Sequence, residues 1–254
     1  MDQQTKHDVL DVRSGGAEPY GLAGLTLSLI VIAAIAATLA GIVAGLVLLG
    51  QAALWGVDET RSFYLSLRFD IPTKAKLSAF AVSVVYAALA TATIIAARHK
   101  QPLAWRDLVA WRRVGLGWRR MASVAVMVLI YAALASLALA SLRERHIPVD
   151  GPTDKLLVGL LTLNYVACAP IAEELLFRGW LYTGLRRRFG FGTTLFATAF
   201  LFAAIHWEPR HMVLVLPLAF ALGFIREQTG SIRPTIALHA SYNLVIVVIT
   251  LLTL

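Results

Sequence analysis

Ionisable side chains inside long apolar runs are the first chemistry this sequence offers. Glu173, Glu174 and Arg178 fall within the apolar stretch from Leu156 to Leu185, where an acid or base at a helix centre costs about 2.5–3.5 kcal/mol on insertion scales. The glutamates lie roughly 18–22 Å by helical rise from the Arg186–Arg188 cluster, which is mid-membrane depth. Glu174 and Arg178 stand at i, i+4 with the acid N-terminal, a spacing that suits an ion pair. Glu173 is turned about 100° from Glu174 around the helix, so it is the surplus carboxylate, open to chemistry. His206 ends the stretch Phe191–His206, about 20 Å from its start and level with Glu173, so a carboxylate–imidazole contact is expected. His239 and Asn243 share a face of the last apolar stretch. Two donors on one face can hold an oxyanion; an interhelical hydrogen-bond pair is an equal reading of the same spacing. Counted from Arg233, His239 is only about 9 Å deep. Either the segment around Pro234 dips into the bundle or these groups do not converge.

Positioning such residues requires a bilayer and a bundle. The 254 residues are 58% hydrophobic and 15% charged with mean hydropathy +0.71, outside the range of soluble domains. Spans need about 20 apolar residues, and five stretches qualify: Leu22–Leu49, Leu77–Ala97, Met121–Leu142, Leu156–Leu185 and Thr235–Leu254. Phe191–His206 and Met212–Ile225 are shorter, and Pro217 frees backbone groups that a neighbouring helix or water must satisfy. The reading is an all-α polytopic transmembrane helical bundle of about seven spans, eight with a re-entrant piece.

Three regions follow: a polar cytoplasmic tail over 1–20, N-terminal helices over 21–155 with a basic interfacial loop at 98–120, and a core over 156–254. In the seven-span arrangement fourteen lysines and arginines fall on one side and eight on the other. The richer side is cytoplasmic, which puts the N-terminus inside and the C-terminus outside, in a cell membrane. The 98–120 loop interleaves Trp105, Trp111 and Trp118 with basic residues and reads as a contact with anionic lipid. That placement also accounts for the net charge of +8 without nucleic acid. Gly41 and Gly45 have the spacing of close helix packing within a bundle. The single cysteine, Cys168, allows no intramolecular disulfide.

EELLFR from Glu173 to Arg178, FAAIH from Phe202 to His206 and HASYN from His239 to Asn243 occur in order with suitable intervals. In these motifs the sequence resembles the CPBP family, intramembrane endopeptidases that include the CAAX-processing Ras-converting protease and bacteriocin-immunity proteins. The resemblance covers roughly Leu156 to Leu254. It implies that Glu173 and His206 activate water, that His239 and Asn243 form the oxyanion hole, and that Glu174 and Arg178 support the site. It further implies a membrane-associated protein or peptide substrate, prenylated in the CAAX case.

The chemistry is coherent on its own terms. A carboxylate stripped of water is a stronger base, and donors facing the carbonyl stabilise the charge that hydrolysis builds there. There is no HExxH sequence, no GxSG, and no aspartate pair inside the spans. Two histidines and a carboxylate match a zinc ligand count, but with Glu173 as a ligand no base is left, so the expectation is hydrolysis without a cofactor, zinc being the alternative. A proton-coupled transporter and a non-catalytic protease-like scaffold are the rival functions; against the first, no inverted repeat is visible.

Overall fold

A computed structural model of the chain describes residues 21–67, 70–101, 103–112, 118–142 and 155–252. The tail over 1–20, part of the basic loop and Leu254 lie outside these residues. The described residues contain helices and turns and no strand, the all-α bundle expected. We number the helices α1 (Leu22–Trp55), α2 (Val57–Ser66), α3 (Ile71–Lys100), α4 (Trp105–Leu108), α5 (Trp118–Leu142), α6 (Lys155–Arg186), α7 (Phe191–Ala204), α8 (Pro209–Thr229) and α9 (Arg233–Leu252).

By length and composition α1, α3, α6, α8 and α9 can each cross a membrane, while α5 and α7 carry shorter apolar stretches. The seven apolar segments of the sequence are therefore seven helices. Met212–Ile225 belongs to a longer helix than its apolar content suggested, because the helix runs on through polar residues until Gly230 ends it at φ 63, its amide bonded to the Arg226 carbonyl. α1 is apolar all round: Leu27, Ile30, Leu46 and Leu49 are 60–69% exposed. Such a surface needs lipid around it, and the protein is an integral membrane protein.

α3 starts at Asp70, whose carboxylate accepts from the Thr73 amide at 3.1 Å, with Pro72 in the first turn. Hydrogen bonds from Thr73 hold the Asp70 carboxyl below its ordinary range. The core has two parts. One joins α1, α3, α6 and α7 with Leu108–Ala110 and one face of α8; the other joins α5 and α9 to a second face of α8.

The segment around α4 does more than lie on the surface. Arg98 and Arg106 do stack on Trp105 at 5.1 and 5.4 Å from the ring, as an interfacial segment would. Leu108, Val109 and Ala110, however, are at most 4% exposed and wedge into one end of the bundle. The Val109 carbonyl lies 3.0 Å from where a Cβ on Gly179 of α6 would sit, so only glycine leaves it room. The Ala110 carbonyl accepts from the Ile232 amide at 3.0 Å, and Ser231 donates to the Arg112 carbonyl at 2.7 Å. Leu108–Ala110 of the basic loop thus belong to the core, which the sequence did not foretell.

Gly41 and Gly45 have no atom within 4 Å of a Cβ built on them. Among the described residues, the close packing within the bundle expected from their spacing is not present.

Candidate active site

The depth of His239 follows from the wedge. Ser231, Ile232 and Thr235 are fully buried and the chain entering α9 is bonded to Ala110 and Arg112, so the first turn of α9 packs into the bundle although Arg233 itself is exposed. The first of the two sequence alternatives is the observed one, and His239 meets the mid-helix glutamates of α6. Its Nδ1 is 3.2 Å from Glu174 Oε1, and its Nε2 is 3.9 Å from Glu173 Oε2.

Glu174 and Arg178 form the ion pair their spacing predicts, Nη1 to Oε1 at 2.8 Å, with both side chains fully buried. Arg178 also donates through Nη2 to the Ala219 carbonyl of α8 at 3.2 Å, and its guanidinium lies 4.2 Å from the Phe202 ring centroid. Two buried charges so supplied with partners avoid most of the penalty an unpaired charge meets in a dry core. A carboxylate oxygen can only accept, so against Glu174 it is His239 Nδ1 that carries the proton. That leaves Nε2 directed toward Glu173.

Glu173 is free of that ion pair, as its rotation about the helix requires. Its Oε1 accepts from the Tyr86 hydroxyl of α3 at 3.2 Å. His206 stands in the turn after α7, where its amide bonds to Ala203 and Nδ1 lies 2.9 Å from the Phe202 carbonyl. Trp207 reverses the chain immediately afterwards at φ 57. The Phe202 ring joins the histidines, its centroid 5.3 Å from His206 and 5.7 Å from His239. His206 thus borders the cluster across an aromatic ring.

Asn243 lies one turn beyond His239, but its amide is engaged elsewhere. Nδ2 donates to the Tyr165 carbonyl at 2.7 Å. The cause is local to α6, which widens to a π-turn over Asn164–Cys168: the Ala169 amide bonds to Asn164, and the next residue, Pro170, has no N–H to offer Tyr165. Asn243 supplies the missing donor. Its amide has a second N–H, the one that bears on an oxyanion role.

Sequence reasoning missed Tyr86, Tyr165 and the function of Phe202. Phe202 stood in the FAAIH motif as a residue without a task; Tyr86 lies in an α3 pattern of alanines and valines with no local signal of a partner 87 positions away. Among the described residues no group of three or more His, Cys, Asp or Glu side chains is arranged to hold a metal ion.

Fold and cluster together define a polytopic helical membrane protein with a buried carboxylate–imidazole centre. Residues 155–245 match the Rce1-like family, described as type II CAAX prenyl endopeptidase Rce1-like, and in this stretch the chain is similar to that family, consistent with the CPBP resemblance. The three motifs lie within it, and Tyr86 lies outside. No curated protein and no solved structure matches the chain.

Proposed function

We propose that the protein is an intramembrane endopeptidase in which Glu173 activates water against a peptide carbonyl. The observation that carries this reading is the way the Glu174–Arg178 pair pins one nitrogen of His239 and leaves the other facing Glu173 Oε2 at 3.9 Å. A water molecule can hydrogen-bond to both groups across that separation. Glu173 takes its proton, the new C–O bond forms, and the oxygen of the former carbonyl gains charge. The imidazolium form of His239, with a proton on Nε2 as well as on Nδ1, and the second amide hydrogen of Asn243 are the donors for that charge. The C–N bond then breaks, and the proton held by Glu173 passes to the leaving amine, with His206 at the edge of the cluster orienting the water or relaying the proton. No step calls on a metal.

The substrate is a membrane-associated protein or peptide. A cavity of about 370 Å³ between α3 and α6, walled by Ala75, Val82, Tyr86, Leu157, Leu161 and Tyr165, is mostly apolar, and one of its walls, Tyr86, is bonded to Glu173. It suits an apolar group such as the prenyl chain in the family's description. Basic residues beside α4 face anionic headgroups in a cell membrane whose cytoplasmic side bears the richer set of lysines and arginines.

The test is cleavage of a fluorescence-quenched farnesylated CAAX peptide by purified protein in lipid nanodiscs, beside its unprenylated counterpart. Wild type cuts the prenylated peptide faster, continues to do so after exhaustive chelation, and loses activity in Glu173→Gln at unchanged abundance. Full activity in Glu173→Gln would sink the assignment of the base. Activity lost on chelation and restored by zinc would replace the metal-free route.

A further inference from the structure

We infer that Tyr86 is a positioning residue for the reaction, holding one oxygen of Glu173 so that the other stays turned toward His239; this rests on the endopeptidase reading above. The two carboxylate oxygens of Glu173 have different neighbours. Oε1 accepts from the Tyr86 hydroxyl at 3.2 Å, while Oε2 faces His239 Nε2 at 3.9 Å. A glutamate side chain ends in a broad, soft torsion, and in a site with few other donors a single phenol decides which oxygen points where. Tyr86 thereby leaves the lone pairs of Oε2 for the water.

The helix that carries Tyr86 is itself locked in rotation. Asn164 of α6 donates through Nδ2 to the Ala79 carbonyl at 2.7 Å and accepts through Oδ1 from the Ser83 hydroxyl at 2.7 Å. Asn164 is buried, so both bonds are made where water competes poorly. Ser83 and Tyr86 are i, i+3 neighbours on one face, and the clamp on Ser83 fixes the direction of the phenol one turn later. Tyr86 also lines the apolar cavity, so one residue touches both the space for the substrate's apolar group and the base. The working site therefore extends beyond residues 155–245 to a helix of the N-terminal half.

Tyr86→Phe removes the hydroxyl and keeps the ring. The expected result is a fall in kcat of about ten- to a hundred-fold, the range of one hydrogen bond to a charged group, with KM within about two-fold and normal abundance. A second readout is independent of turnover. The Glu173 carboxyl band, isolated by difference infrared spectroscopy against Glu173→Gln, shifts in Tyr86→Phe. A band that does not move overturns the contact. A moved band with unchanged kcat, in an enzyme that Glu173→Gln inactivates, overturns the positioning role. If wild type cuts no peptide at all, the endopeptidase reading fails while the band still decides whether Tyr86 holds Glu173.

Discussion

Neighbouring glutamates on one turn of α6 have opposite circumstances. Glu174 is fully buried with Arg178 and His239 on its oxygen, and Glu173 has a phenol on one oxygen and His239 Nε2 at 3.9 Å from the other, with no arginine. Glu174→Gln or Arg178→Gln strands a charge in a dry core, at about 3–5 kcal/mol; membrane-fraction immunoblots should show both depleted, with Glu173→Gln near wild type. The reverse pattern would interchange their roles. Asn243 has two candidate tasks on one amide. If the second N–H serves the oxyanion, Asn243→Ala lowers kcat by about 10²–10³ with KM little changed. If the Tyr165 carbonyl is its whole task, the variant loses thermal stability and keeps the turnover of whatever folds.

At the scale of elements, irregularities place the chemistry. The π-turn at Asn164–Cys168 leaves the Tyr165 carbonyl for Asn243, and in a second π-turn of α6, Leu175–Leu181, the Arg178 carbonyl accepts from Arg226 Nε of α8 at 3.0 Å. Pro217 of α8 lacks the N–H that would bond to the Val213 carbonyl, and Tyr242 donates to the neighbouring Leu214 carbonyl at 3.1 Å. Helices joined in this way have a fixed rotation, which a catalytic cluster assembled from several of them requires. The wedge of Leu108–Ala110 against Gly179 is another such contact, with backbone rather than a flexible side chain facing the glycine. Gly179→Ala pushes a Cβ onto the Val109 carbonyl, and we expect a loss of about 1–3 kcal/mol, read as a lower melting temperature in detergent. Gly41→Ala, which meets nothing within 4 Å, is the control and should be neutral or slightly stabilising. Equal melting temperatures for the two would mean the wedge does not bear on Gly179.

For the whole molecule, the distribution of lysine and arginine orients the bundle, and a cysteine placed after Leu254 should be labelled by impermeant reagents from outside while one beside Arg112 is labelled from the cytoplasm. Labelling of both from the same side would overturn the seven-span topology.

Much of this was legible in the sequence because hydrophobic length and charge placement are one-dimensional quantities. The all-helical fold, the apolar segments and the Glu174–Arg178 pair followed from runs of apolar residues and an i, i+4 spacing, which act within one helix. The depth of His239 could not be read, since it depends on Leu108–Ala110 folding back under Ser231 and Ile232 from more than a hundred residues away. Nor could the partner of Asn243, which depends on a π-turn and a proline in another helix. Tyr86 was invisible for the same reason: its chemistry comes from the rotation of α3 against α6, set by Asn164 with Ala79 and Ser83. Sequence determined which groups the bilayer would have to bury, through the energy each costs there; tertiary structure decided which of them meet, because a hydrogen bond is a contact of about 3 Å that no spacing along the chain encodes.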